Sequence, residues 1–146
     1  MEYEELTGRI IGCAMTVHRA LGPGFLESVY QNALVHELGK AGLVVECHRP
    51  VAVTYDGVAV GRFTVDMLVG GVVLVENKAV RALAPGHEVQ LVNYLTATGI
   101  EIGLILNFGS ERLEFKRKTR RTKPGRAGET ARQDEQDGQD EQDEQD

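Results

Sequence analysis

The chain has 146 residues, a formal net charge of −6 and 42% apolar residues. That is enough for one domain with its own core, and no run approaches the roughly 18 apolar residues of a membrane-spanning helix. The two cysteines, Cys13 and Cys47, cannot supply the four thiolates of an iron–sulfur cluster and lack the paired spacing of a zinc site. They read instead as buried thiols of a reducing compartment. The acidic start Met1-Glu2-Tyr3-Glu4-Glu5 has no signal-peptide pattern, so a cytoplasmic location is expected.

Residues 4–21 carry Leu6, Ile10, Cys13, Ala14, Val17 and Leu21 at helical spacing, and Gly22-Pro23-Gly24 closes the pattern. A second helix is predicted from about Leu26 to Ala41, and residues 43–55 follow as an extended run in which Pro50 marks an edge strand or a bulge. Asp56-Gly57 is a hairpin signal, and Val58 to Val69 returns as the second strand. Val72 to Ala79 forms the third; its run Val72-Val73-Leu74-Val75 implies burial on both faces and a central position. Pro85-Gly86 is read as loop ahead of a helix from about Glu88 to Thr98, which would carry a right-handed crossover to a fourth strand, Ile102 to Phe108. Arg112 to Lys118 is a short fifth. The expected fold class is therefore α/β, a mixed β-sheet flanked by helices in the order α-α-β-β-β-α-β-β.

Residues 1–118 are expected to form the domain and 119–146 a tail that is first basic and then acidic. Lys116 to Lys123 holds six basic residues and no acid. It suits either phosphate contact or a solvated, frayed strand end. Residues 126–146 have no apolar side chain to bury beyond Ala127 and Ala131 and are expected to be disordered, as a solubilising appendage or a mask over the basic run.

The chemistry is concentrated in Phe63-Thr64-Val65-Asp66-Met67-Leu68-Val69-Gly70-Gly71-Val72-Val73-Leu74-Val75-Glu76-Asn77-Lys78. Strand side chains alternate faces, so Glu76 and Lys78 share one. A two-residue turn would put Asp66 opposite Val75, whereas a three-residue loop, Gly70 to Val72, puts it across from Glu76. Glycine supplies the left-handed backbone that such a loop needs. Two carboxylates and an ammonium on an apolar sheet are costly unless they bind something. A divalent cation between Asp66 and Glu76 would offset that cost, with Lys78 acting on a metal-bound water. A buried ion pair of Lys78 with Glu76 or Asp66 is an equal alternative on spacing alone.

Further groups join these. Glu27 and Tyr30 share a face at the start of the second helix, in Gly24-Phe25-Leu26-Glu27-Ser28-Val29-Tyr30, and Gln90 and Tyr94 share one on the third. Taken singly, Glu27 is accounted for by the helix dipole. Tyr30 and Tyr94 are accounted for as core-edge aromatics with wet hydroxyls. His18 and His87 could face the same site, but a surface or hydrogen-bonded histidine accounts for each.

Together these residues resemble the GxxExxY family of the PD-(D/E)XK nuclease superfamily, from about Glu5 to Lys118. Gly24, Glu27 and Tyr30 match the name motif, and Asp66, Glu76 and Lys78 match the acid and E-x-K positions. Gln90 and Tyr94 match a Q-x-x-x-Y signature. Val17-His18, Leu21-Gly22-Pro23-Gly24, Thr98-Gly99 and Asn107-Phe108-Gly109 are similar to the family as well. Met67 and Asn77 depart from it, since leucine is usual at both places. The resemblance implies a restriction-endonuclease-like core. It also implies metal-dependent phosphodiester hydrolysis of nucleic acid, with Mg²⁺ or Mn²⁺ held by Asp66, Glu76 and the carbonyl of residue 77. Lys78 would act on the attacking water, Glu27 would serve a second metal or the water, and Gln90 and Tyr94 would orient Lys78 or touch a phosphate. The net acidic folded part is poor for tight nucleic-acid binding. Two other readings therefore stand: a non-enzymatic binding module, which could pair as a homodimer through the sheet edge, and a hydrolase of small phosphate esters.

Overall fold

The computed structural model of the chain describes residues 2–120. The acidic segment 126–146 and the end of the basic run lie outside the described residues. Two helices, α1 (Glu2–Leu21) and α2 (Glu27–Lys40), precede the strands β1 (Val45–Tyr55), β2 (Val58–Val69) and β3 (Val73–Lys78). Helix α3 (Pro85–Thr98) then leads to β4 (Ile102–Asn107) and β5 (Glu114–Thr119). The predicted element order holds throughout. The third helix starts at Pro85, three residues before the expected Glu88. Proline lacks only an amide that the first helical turn leaves unbonded in any case, so what reads as a loop signal is a helix start.

The five strands lie in sequence order, with β1–β2, β2–β3 and β4–β5 antiparallel and β3–β4 parallel. β3 is central, and Pro50 sits on the edge strand, where a missing amide interrupts no inner ladder. Asp56 and Gly57 both have positive φ, 54° and 75°, which matches the twist of a tight hairpin. The second hairpin closes through Gly70, Gly71 and Val72, between the paired residues Val69 and Val73. Both glycines have positive φ (62° and 73°), so the three-residue loop is the one formed.

The apolar periodicities decide the layers. Ile10, Ala14 and Val17 of α1 and Tyr30, Leu34 and Leu38 of α2 pack with Met67, Val69, Val73, Val75, Leu104 and Leu106 on one face of the sheet. Leu91 and Leu95 of α3 pack with Leu74 and Ile105 on the other. Cys13 and Cys47 border the first core but are partly exposed, not buried as expected. The described half of the basic run is not a frayed, solvated strand end. Lys116 and Lys118 are 3% and 5% exposed within β5, and Lys118 lies 3.8 Å from Glu88 of α3. Arg117 donates to Thr7 of α1, and Arg120 pairs with Glu101. The alternation of β5 buries Lys116 and Lys118, while Lys118, Arg117 and Arg120 find partners within the domain.

A side-chain buckle fixes the end of β3. Asn107 Oδ1 accepts from the amides of Val80 (2.9 Å) and Gly109 (3.0 Å), while its Nδ2 donates to Val80 O (2.9 Å) and Glu114 Oε1 (2.8 Å). The Phe108 amide donates to the carbonyl of Lys78. Gly109 passes so close to this segment that a Cβ there would lie 2.4 Å from Val80 O. That neighbour is backbone and cannot swing aside, so Gly109→Ala is expected to cost about 2 kcal/mol or more. Gly86→Ala, where a Cβ meets nothing within 4 Å, should stay within about 0.5 kcal/mol. Urea unfolding of both variants checks this, and equal midpoints would contradict the close-approach argument.

Candidate active site at a fork in the sheet

The pairing of β2 with β3 runs from Val69↔Val73 to Met67↔Val75 and stops. At the next rung the backbone partners are replaced by side chains. The Asp66 amide donates to Glu76 Oε2 (3.1 Å), and the Asn77 amide donates to Asp66 Oδ2 (2.8 Å). Each carboxylate thus satisfies an amide of the opposite strand with one oxygen, as a ladder carbonyl otherwise would.

The strands part here because the β1–β2 ribbon changes face. Val45, Cys47, Met67 and Val69 border the α1/α2 core, whereas Val51, Phe63 and Val65 pack against the α3 core. All are odd-numbered, so strict alternation would keep them on one face. Both strands switch at the rung where His48 would face Asp66, which the paired register passes over. His48 has φ +56°, a conformation that is uncommon for a non-glycine residue. It takes up the turn of the ribbon, and the outer part of the hairpin leans over α3. His48 was not singled out in the sequence. The nearby signal was Pro50, which marked an edge strand or a bulge and did not point to His48.

Glu76 is buried (6% exposed). Burial first, and the Asp66 charge second, push its carboxyl up to about 7, against the lowering effects of the Asp66 amide and of Lys78. Leu74 packs toward α3, so Glu76 and Lys78, two and four residues on, share that side. Glu27 reaches the same group from α2. Its pKa is raised by partial burial and by Asp66, and lowered by Lys78. Tyr94 does so from α3, its phenol raised by burial and then by Glu76 and Asp66. Cys47 is raised by burial and by Asp66. The Asp66 charge thus acts on Glu76, Glu27, Tyr94 and Cys47, and the Lys78 charge on Glu76 and Glu27.

Tyr94 also stacks on Phe63 of the leaning hairpin, centroids 3.9 Å apart and rings 10° from parallel. Gln90 lies one turn earlier on α3 and is exposed; it makes no hydrogen bond to the acids among the described residues. His18 and His87 are not part of this cleft. His18 Nε2 lies 2.9 Å from Ser110 O, beside Phe108, and His87 Nδ1 accepts the Ala84 amide at the start of α3.

Tyr30 corrects its single-residue reading. It is fully buried, stacked on Phe108 at 4.9 Å, and its hydroxyl accepts from the Phe25 amide and donates to Gly22 O. The hydroxyl is not wet: it clamps the loop that delivers Glu27. Gly24 within that loop has φ +116°. On the far face of β3, Asn77 is fully buried and donates to Gln31 Oε1 and Met67 Sδ. Its Oδ1 is buried with no hydrogen-bond partner. That atom costs about 1–3 kcal/mol, so the amide at this place reduces stability and does not enter the acid cleft.

Among the described residues, no group of three or more His, Cys, Asp or Glu side chains is gathered to hold a metal ion. What the fork offers a cation is the Asp66–Glu76 pair of carboxylates. That donor set fits a magnesium-like ion, which takes one or two carboxylates and keeps several waters.

The fold has counterparts among known proteins. No curated protein matches the chain. The solved structure of SSO0001 is similar in fold, with a TM-score of 0.54 at 16% identity over 94% of this chain and 68% of that one. A family model described as PD-(D/E)XK nuclease superfamily matches residues 4–121. The mixed sheet with its flanking helices is a restriction-endonuclease-like core, and the chain belongs to the PD-(D/E)XK nuclease superfamily.

Proposed function

We propose that this protein is a metal-dependent phosphodiester hydrolase acting on nucleic acid in the cytoplasm. The observation that carries this reading is the crossed pair at the fork. Asp66 and Glu76 each spend one oxygen on the opposing strand, and burial, with the Asp66 charge second, lifts the Glu76 carboxyl to about 7. A site that holds two acids together against their own charge is suited to a divalent cation. Mg²⁺ or Mn²⁺ would be held by Asp66, Glu76 and the carbonyl of Asn77, and would supply Lewis acidity and an acidified water.

The chain's own groups carry the remaining work. Lys78, whose backbone is held by the bond from the Phe108 amide to its carbonyl, orients the attacking water and offsets charge gathering on the phosphoryl oxygens. Glu27 takes up a proton from that water or serves a second cation, consistent with its raised pKa. Tyr94 and Gln90 approach from α3, Tyr94 braced by Phe63.

Hydrolysis of small phosphate esters is the second reading. It is favoured by the burial of Lys116 and Lys118, which removes cations that a nucleic-acid surface would use. A binding module that pairs as a homodimer through the β1 edge is the third. Incubation with Mn²⁺ at low salt, using duplex, branched and single-stranded nucleic acid beside nucleotides, separates the three.

Lys78→Ala is expected to leave Mn²⁺ binding nearly intact while lowering turnover by about 100-fold or more. Asp66→Asn should weaken Mn²⁺ binding itself, because it removes an anionic ligand from a hard cation, and Glu27→Gln should fall between the two. Calorimetry with single-turnover kinetics checks the ranking. A silent Lys78→Ala, with cleavage that needs no divalent ion, would leave Lys78 as half of a structural ion pair.

Glu76 makes a second prediction. Its folded-state pKa lies above the ordinary glutamate value, so the folded protein holds a proton that the unfolded chain releases. This contribution is fully present below about pH 4.5 and is lost as pH rises through about 7. Without divalent cation, wild-type stability should fall between about pH 5 and about pH 8 relative to Glu76→Gln. Parallel pH profiles for the two proteins in thermal unfolding would contradict the assignment.

A further inference from the structure

We propose that His48 is a substrate-contacting residue of the cleft: its Nδ1–H donates to a phosphoryl oxygen of the diester, and a buried amide relay through Gln31 and Asn77 fixes its tautomer from behind. This deepens the hydrolase reading and rests on it for the identity of the ligand. His48 is exposed and sits at the rung of Asp66, between the pairs Cys47↔Met67 and Arg49↔Val65. Residues opposite one another in an antiparallel ladder have Cα atoms about 5 Å apart. Its ring meets Gln31 of α2, which lies one turn beyond Glu27 on the same helix face. Two independent placements, the strand register and the Gln31 contact, thus set His48 beside Asp66 and Glu27.

The relay decides which ring nitrogen carries the hydrogen. A methionine sulfur can only accept a hydrogen bond. Met67 Sδ lies 3.1 Å from Asn77 Nδ2, so the amino end of Asn77 faces it. The same amino group donates its other hydrogen to Gln31 Oε1 at 3.3 Å. Gln31 is left with its amino end for His48, and Gln31 Nε2 donates to His48 Nε2 at 3.4 Å. A neutral imidazole that accepts at Nε2 carries its hydrogen on Nδ1. Reversing the chain would set Asn77 Oδ1 against the Met67 sulfur, acceptor against acceptor. Asn77 and Met67 are fully buried and Gln31 is 7% exposed, so bulk solvent does not relieve a wrong polarity.

The relay is kept at a cost to stability. Asn77 Oδ1 is buried without a hydrogen-bond partner, and His48 holds φ +56°. Unusual backbone in a non-glycine residue clusters at functional sites. What the orphaned oxygen and the unusual backbone have in common is the setting of one ring. Its Nδ1–H makes no hydrogen bond among the described residues. A donor left over beside Asp66 and Glu27 suits an anion that the ligand brings, and the phosphoryl oxygens of a phosphodiester are strong acceptors of this kind.

The test uses the full chain, Mg²⁺ and a dinucleoside monophosphate with a single phosphodiester. Imidazole nitrogen shifts by NMR should report the Nδ1–H tautomer of His48 in the wild-type protein and a mixture of tautomers in Gln31→Leu. Adding the dinucleotide should move the Nδ1–H signal. His48→Ala should weaken dinucleotide binding about tenfold, as expected for one bond to a charged acceptor. Asparagine tolerates positive φ and places an amide donor near the position of Nδ1. His48→Asn should therefore keep binding within about threefold of wild type although it loses Gln31. His48→Gln, whose donor lies nearer the position of Nε2, should behave like His48→Ala. Thermal unfolding verifies that the variants fold. An Nε2–H tautomer in the wild type, no dinucleotide binding, or equal binding by His48→Ala and wild type overturns the proposal. The two readings fail separately. A dinucleotide held through His48 but never cut by the wild-type protein with Mn²⁺ removes the hydrolase and keeps the contact. Cleavage with the same KM and kcat in wild type and His48→Ala removes the contact and keeps the hydrolase.

Discussion

The separation of β2 from β3 at Asp66 and Glu76 is the constraint on which the rest of this structure depends. A buried strand cannot leave its neighbour without orphaning backbone amides. Here the two amides at the point of departure are satisfied by carboxylates from the opposite strand. The acids thus serve the fold and the candidate site at once. Removing either affects the backbone of the fork as well as any bound cation, and a loss of activity on its own would not separate the two roles.

The fork is stiffened from both sides. Behind it, Asn107 brackets Val80 and the Phe108 amide bonds to the carbonyl of Lys78, so the end of β3 has little freedom to shift. In front, Tyr30 spans from Phe108 to the loop at Gly22–Phe25 and sets where Glu27 enters. Phe108 touches both devices. The supports of Lys78 and of Glu27 therefore meet at one buried ring, and displacement of that ring would reach two candidate site residues on different elements.

The electrostatics have a similar economy. Among the described cations of the basic run, Lys118 lies near Glu88 under α3, Arg117 donates to Thr7 and Arg120 pairs with Glu101. What remains at the cleft is a concentration of acid relieved by Lys78.

The sequence by itself determined the element order, the central place of β3, the three-residue loop and the opposition of Asp66 to Glu76. These follow from local rules: helical and strand periodicity, proline and glycine punctuation, and the pleat counted outward from Gly70-Gly71. Only the tertiary structure decided the rest. The face switch at His48 and Asp66 runs against the pleat and is driven by Val51, Phe63 and Val65 finding their core on α3. No periodicity within one strand contains that information. Tyr30 reads as a half-wet aromatic until Phe108, far along the chain, covers its ring and the Gly22–Phe25 loop closes on its hydroxyl. Lys116 and Lys118 read as a solvated charge run because composition registers their charge. Their burial comes from the pairing of β5 with β4 and from Glu88, contributed by a helix some thirty residues earlier.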